Sequence, residues 1–295
     1  MAGDANFTSV SLLLHGDGPD GSTTFTDSSP TPKTITRFGD AQISTAQSKF
    51  GTASCALDGS GDYLTIPHNT AFSIQGGDFT IEMWVRRAAS GVSHYLMSKR
   101  SPTLADGWEW RINATNFMQF FHTGGSSVIG DVSVPSGAWC HIAVCRSGSS
   151  LTMWIDGAAA GAGTVSSGTE NTDTTMKIGC DNVGSTGFNG HIDDIRITKG
   201  VARYTASFTP PTAAFGDRLP QVSGNVKDAS GANAARTVRA YRRDTGALVG
   251  SATSNGTTGN YTIDCATDAE VTLVAFDDAT SGTYYNDQAV RVIPD

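Results

Sequence analysis

Hydrophobic and polar residues alternate most cleanly over Asp78–Arg87, read as DFTIEMWVRR. Phe79, Ile81, Met83 and Val85 fall on one side, and Thr80, Glu82, Trp84 and Arg86 on the other. A period of two marks a β-strand with one face in a core, and β-branched and aromatic residues suit a pleated surface. Trp84 implies that the second face is covered too, as in an inner strand of a sandwich. The same grammar recurs at Tyr95–Lys99, Trp108–Ile112 and Phe117–Phe121, with Asn113–Asn116 as the last turn. Trp139–Arg146 and Leu151–Asp156 flank a turn at Ser147–Ser150, and Thr175–Gly179 and His191–Thr198 read as later strands. In Leu57–Pro67, Gly59 and Gly61 can take positive φ in a tight turn before a strand. No stretch carries a sustained 3.6-residue period with caps, so the chain is expected to be all-β.

The pattern also divides the chain. Asp217–Pro220 reads as a short linker punctuated by Pro220, and a new run of strands and turns starts at Gln221. The expected domains are 1–216 and 221–295. High glycine, with 34 residues, and few charges, at 16%, fit short strands joined by turns.

Charge and cysteine narrow the partners. The formal net charge is −8. From Asp217 onward there are 7 Lys and Arg against 10 Asp and Glu, which puts −3 in the tail and −5 before it. Neither part has the clustered cations that phosphate contacts require, so nucleic acid is not an expected partner. The opening MAGDANFTSVSLLLHGDG lacks a basic n-region, so no signal peptide is expected. No segment reaches the roughly 20 apolar residues that span a membrane, and membrane insertion is not expected. The five cysteines, Cys55, Cys140, Cys145, Cys180 and Cys265, show neither a disulfide framework nor a CxxC pair. Cys140 and Cys145 are five apart in one strand and point to opposite faces, so they cannot pair with each other.

Three stretches carry a family resemblance. DFTIEMWVRR, WCHIAVCRSGSSLTMWIDG at Trp139–Gly157, and GHIDDIRITKGVARYTASFTPP at Gly190–Pro211 together resemble the laminin-G-like, concanavalin-A-like jelly roll. The resemblance is to the version found in bacteriophage structural proteins, and AQISTAQSKFG and ITKGVARYTASFTPP carry it most specifically. Cys140 and Cys145 depart from the residues usual in that family. Val222, Gly224, Val226, Asp228 and Gly231, then Gly259, Tyr261 and Ile263, resemble the small transthyretin-like (carboxypeptidase-regulatory-like) sandwich.

The resemblance raises three kinds of chemistry. Retaining glycoside hydrolysis needs two carboxylates about 5–5.5 Å apart on one face. The four glutamates, Glu82, Glu109, Glu170 and Glu270, show no E-x-D-x-x-E strand. Strand alternation sends the adjacent Asp193 and Asp194 to opposite faces. No catalytic residue is expected. Jelly rolls of this group hold a structural calcium between an early loop and the last strand. The resemblance implies Asp58, Asp62, Asp193 and Asp194 as its ligands, against the alternative that these are turn formers and ion-pair partners. Beyond such a structural Ca2+, no cofactor is expected. For sugar stacking, Trp108, Trp110 and Phe121 are the candidates, against the alternative that large aromatics fill the core. The glycine-rich loops Gly124–Gly130 and Gly184–Gly190 could line a shallow site.

Domains of adhesive type without an export signal fit a virion protein, assembled in the host cytoplasm and released by lysis. The expectation is a non-enzymatic protein of the phage virion surface, in a tail fibre or tail tip, that contacts host-surface glycan and other virion proteins. Capsid decoration and a glycan-degrading enzyme are the alternatives. A homo-oligomer is expected, with a trimer as the guess.

Overall fold

The computed structural model describes residues 3–74, 76–103, 106–122, 127–165, 174–228, 230–276 and 289–294. Glu170 and the Gly124–Ser126 part of the expected glycine-rich loop lie outside these residues. The chain forms two compact units, one of Ser9–Phe215 and one of Met1–Thr8 with Gly216–Asp295.

The larger unit contains β1 (Val10–Leu14), β2 (Thr36–Phe38), β3 (Gln42–Ser44), β4 (Ser54–Asp58), β5 (Tyr63–Ile66) and β6 (Phe79–Arg87). These are followed by β7 (His94–Arg100), β8 (Gly107–Ile112), β9 (Phe117–Phe121), β10 (Ser127–Ser133) and β11 (Cys140–Ser147). The last are β12 (Ser150–Ile155), β13 (Ala158–Thr164), β14 (Met176–Ile178) and β15 (Asn189–Lys199).

They build two antiparallel sheets. The larger is eight-stranded, in the order β13-β12-β11-β6-β15-β4-β3 with β1 also paired to β15. The smaller is seven-stranded, in the order β10-β9-β8-β7-β14-β5-β2. β6 is a central strand, pairing β11 on one side and β15 on the other. Its Phe79, Ile81, Met83 and Val85 enter the core between the sheets, facing Trp108, Trp110 and Phe120 of the smaller sheet. Together these apolar faces exclude water, and that burial is the main stabilising term.

The outer face of the larger sheet is covered over part of its area by two segments. Residues 201–215 run across it. Val201 O accepts the Thr80 hydroxyl at 3.0 Å, and Phe208 N donates to Gly157 O at 3.0 Å. Tyr204 and Phe208 stack with ring centroids 3.6 Å apart and pack on Ala143, Cys145 and Trp154. Residues 45–52 cover a second area, where the Phe50 ring meets Trp84 edge-on and Lys49 Nζ sits 3.9 Å over the indole. Trp84 is thereby buried, as its place on the second face implied.

The second unit has two sheets. β16 (Gln221–Asn225) pairs β19 (Asn260–Asp264), and β17 (Thr237–Arg242) lies between β18 (Leu248–Thr253) and β20 (Val271–Phe276). β21 (Ala289–Val292) completes the four-stranded sheet. Its core is Val222, Val238, Ala240, Ile263, Cys265, Val271 and Leu273. All five cysteines of the chain are buried and free. Cys140 lies in the main core and Cys145 under the 201–215 segment, on opposite faces of β11.

Candidate functional site

Part of the larger sheet's outer face is open. There Gln42 on β3, Ala56 on β4, His191 on β15 and Arg86 on β6 stand opposite one another in a single row across four strands. They floor a cleft of about 330 Å³, with Asp40, Asp58, Asp62 and Asn189 among its other lining residues. Ala56 has the smallest side chain of the row, and that leaves the hollow.

Two glycines permit the close approach of backbone around this cleft. Gly190 has φ +139°, and a Cβ there would collide with the Arg86 carbonyl. Gly39 has φ +66°, and a Cβ there would collide with Asp62 Oδ1. Both positions therefore require glycine.

The hydrogen bonding of His191 fixes its chemistry. Ser54 Oγ donates its one proton to the Gln47 carbonyl at 2.7 Å. Its contact with His191 Nδ1 at 3.0 Å must then be a bond that Ser54 accepts, so Nδ1 carries the proton and Nε2 is a bare acceptor. Burial and the neighbouring Arg86 charge hold the His191 pKa below its ordinary value, which keeps the ring neutral near pH 7. Among the described residues, the Gln42, Arg86 and Asn189 side chains make no hydrogen bond. The row thus offers an amide, an imidazole acceptor and a guanidinium.

Asp40, Asp58 and Asp62 place carboxylate oxygens within 4.8 Å of one another. Burial, helped by the neighbouring carboxyls, raises the Asp62 pKa, while its oxygens accept the amides of Asp40 at 2.7 Å and Asp58 at 3.1 Å. Asp58 Oδ1 also accepts the Ser60 amide at 2.6 Å. Oxygen donors of this kind suit a hard cation such as Ca2+. Asp58 and Asp62 lie together here, with Asp40 as a third member that the sequence reading missed.

Asp193 and Asp194 do not join them. β15 carries a bulge between Asp193 and Arg196 opposite β6, and Asp194 has φ +48°. The extra residue breaks the alternation. Both carboxylates therefore reach the covered outer face, rather than opposite faces. Asp193 Oδ2 accepts the Lys49 and Phe50 amides at 2.7 and 3.2 Å. Asp194 accepts from His15 Nδ1 at 2.6 Å and from the Phe215 amide at 2.7 Å. The two are 1% exposed, so neither can reach a substrate, and among the described residues the carboxylates that cluster are Asp40, Asp58 and Asp62 without them.

The stacking candidates separate. Trp108 and Trp110 are 0% exposed and lie in the main core, so they cannot stack on a sugar. Phe121 is half-buried on the outer face of the smaller sheet. The strand glutamates are also buried. Glu82 is fully buried and accepts from Arg196 Nε and Nη2 at 2.9 and 2.8 Å, Tyr204 Oη at 2.7 Å and His141 Nε2 at 3.2 Å. Burial alone would raise its pKa, but Arg196, His141 and Arg203 override burial and hold it well below the carboxylate range. Glu109 is 3% exposed and accepts from Ser98 Oγ at 3.1 Å.

Residues 58–203 match the family model for laminin G domains of the concanavalin A-like lectin/glucanases superfamily. The fold is a concanavalin A-like jelly roll. Among solved structures, it resembles domain 4 of AbnA, a GH43 extracellular arabinanase from Geobacillus stearothermophilus, in complex with arabinotriose. That match has a TM-score of 0.51 at 16% identity and covers 67% of this chain and 95% of that one. The binding domain of botulinum neurotoxin DC in complex with SialylT matches with a TM-score of 0.50 at 14% identity, over 92% of this chain and 72% of that one. A further match comes from a study of botulinum neurotoxin type C, whose cell entry depends on two ganglioside molecules. It has a TM-score of 0.51 at 14% identity, over 92% of this chain and 71% of that one. At these identities the likeness is one of fold. No curated protein sequence matches the chain.

Proposed function

We propose that the chain is a non-catalytic, carbohydrate-binding protein of a phage virion surface, with the open cleft of the jelly roll as its glycan site. The observation that carries this reading is the row Gln42–Ala56–His191–Arg86. Three polar side chains there present hydrogen-bonding atoms with no protein partner around a hollow made by the alanine. Sugar hydroxyls both donate and accept, and an amide, a bare imidazole nitrogen and a guanidinium answer both needs. The burial of Glu82, Glu109, Asp193 and Asp194 supports binding without hydrolysis. The arabinotriose and SialylT complexes of two similar structures, and the ganglioside dependence of neurotoxin C entry, support the same class of ligand. The wording ITKGVARYTASFTPP supports the virion setting, and a tail fibre or tail tip adsorbing to host glycan is favoured within it. Calcium held by Asp40 and Asp58, beside Asp62, would brace the rim of the cleft.

A glycan array probed with the full chain, Arg86→Ala and Ala56→Phe tests the site. Binding by the full chain, reduced by Arg86→Ala and blocked by the bulk of Ala56→Phe, is the expected result. Equal binding by all three, or release of reducing sugar from the ligand, would overturn it. Immunogold labelling of intact virions tests the setting: label at the tail supports adsorption, label over the head replaces it with decoration, and no label sinks the virion reading.

A further inference from the structure

The smaller sheet turns a second polar array outward, on the side of the sandwich away from the cleft. β8 sends Trp108, Trp110 and Ile112 into the core, which directs Glu109 and Arg111 to the outer face. Gln119 lies opposite Arg111, and Phe121 opposite Glu109, on β9. Tyr95 lies opposite Arg111 on β7.

Arg111 is locked in place by these neighbours. Its Nε and Nη2 donate to Gln119 Oε1 at 3.0 and 2.8 Å, and its Nη1 donates to Tyr95 Oη at 2.7 Å. Gln119 is itself held, donating from Nε2 to Ser127 Oγ at 3.1 Å. The guanidinium carbon lies 5.4 Å from the Tyr95 ring centroid and 4.9 Å from that of Phe121. Arg100 stands 4.6 Å over the same Phe121 ring.

Two guanidinium groups, Arg100 and Arg111, act on the one carboxylate of the array, Glu109. Glu109 is matched by Arg100 at 3.9 Å and by Ser98, with the Arg111 charge also acting on it, while among the described residues Arg111 has neutral hydrogen-bond acceptors and no carboxylate in salt-bridge range. Burial raises the Glu109 pKa, against the Ser98 hydrogen bond and the Arg100 and Arg111 charges, which act to lower it. A guanidinium has five N–H groups, and three are used here. One proton on Nη1 and one on Nη2 remain, and a carboxylate that took both would be held in a fork. Tyr95, Arg111 and Phe121 are all half-buried, so each stays partly open to solvent.

From this arrangement we infer that the outer face of the smaller sheet is a second binding site, for a saccharide that bears a carboxylate. The Arg111 fork reads the carboxylate, and the Tyr95 and Phe121 rings supply apolar surface for the C–H groups of the sugar ring. Because Gln119, Tyr95 and Phe121 already fix the guanidinium, little ordering cost remains for the ligand to meet. The inference deepens the glycan-binding reading by adding a place and a charge requirement that the cleft does not supply.

The experiment is calorimetric titration of the full chain with an oligogalacturonate and with the neutral galactose oligomer of the same length. Arg111→Gln, Arg111→Lys, Phe121→Ala and the cleft variant Arg86→Ala are run in parallel, each checked by its thermal melt. The expected result is acidic-oligomer binding tighter than neutral by roughly tenfold or more. That preference is expected to vanish in Arg111→Gln, to fall in Arg111→Lys, which keeps the charge and loses the fork, and to survive in Arg86→Ala. Equal binding of both oligomers, or a preference unchanged by Arg111→Gln, would overturn the second site and leave the cleft standing. A preference lost in Arg86→Ala instead would move the anion to the cleft. No binding of either oligomer, together with a blank glycan array, would sink both readings. Self-association that disappears in Arg111→Gln would make the face a contact between copies of the chain.

Discussion

His191 Nδ1 donates to Ser54 Oγ across 3.0 Å, and the Ser54 proton is already committed to the Gln47 carbonyl. The imidazole therefore presents its unprotonated nitrogen as the acceptor in a cleft otherwise lined with donors and carboxylates. Its lowered pKa keeps it in that state at neutral pH. Protonation would turn the acceptor into a donor and place a second cation beside Arg86. Glycan affinity is expected to hold between pH 8 and 7 and to fall severalfold as the pH drops below the ordinary histidine range. His191→Ala should bind weakly with a flat pH profile. Titration of a glycan-array hit at several pH values checks both.

Glu82 makes the opposite case, a carboxylate that is fully satisfied and sealed. Removing it takes the carboxylate from Arg196 and Tyr204 in the interior. Glu82→Ala is expected to cost about 3–5 kcal/mol, the usual penalty for breaking a buried ion pair. Because its folded pKa lies below the unfolded value, its contribution is full above the unfolded pKa, declines as the pH falls below that value, and is lost through the lower folded pKa. Urea denaturation of wild type and variant at pH 7 and at acid pH measures both effects, and the difference between them should shrink in acid.

Asp193 carries the reverse sign. Burial, reinforced by the Asp194 charge, raises its pKa from 3.8 to about 7. Its Oδ1 is buried without a hydrogen-bond partner. The folded state holds a proton that the unfolded state releases, so this group's stabilisation is complete below pH 4 and is lost as the pH rises through 7. Asp193→Asn keeps an oxygen for the Lys49 and Phe50 amides and removes the charge. It is expected to raise stability at pH 8 by on the order of 2–4 kcal/mol and to be near neutral at pH 4. Thermal melts across that range test it.

The strands were legible because alternation reports them locally. β6 runs from Phe79 to Arg87, within the stretch that the pattern singled out. The site was less so, for two physical reasons. Spacing of two puts Trp108 and Trp110 on one face but does not say which face meets the core. Trp84 and Trp154 pack on the covered outer face, while Trp108 and Trp110 fill the interior. Long-range register is likewise silent in a single sequence. Gln42, Ala56, His191 and Arg86 become neighbours through three strand pairings, and Asp40 reaches Asp62 through one backbone bond. The bulge at Asp194 defeats any reading of β15 that assumes strict alternation. A paired Asp-Asp within a strand was the one signal that could have prompted it, since aspartate tolerates positive φ better than most residues.

The acidic rim offers the last test. Three carboxylates within 4.8 Å repel one another, and the raised pKa of Asp62 records that strain alongside its burial. A hard divalent cation would relieve the repulsion, and any agent that binds only the folded state raises its stability in proportion to the logarithm of its concentration. Millimolar CaCl2 is therefore expected to raise the melting temperature of the full chain, with Mg2+ less effective because it dehydrates reluctantly. Asp58→Asn, which removes one charge while keeping an oxygen for the Ser60 amide, should raise stability without calcium and abolish the calcium response. Asp194→Asn, away from the rim, should leave the response intact. A melting temperature indifferent to calcium in the wild type would return Asp58 and Asp62 to the role of turn formers.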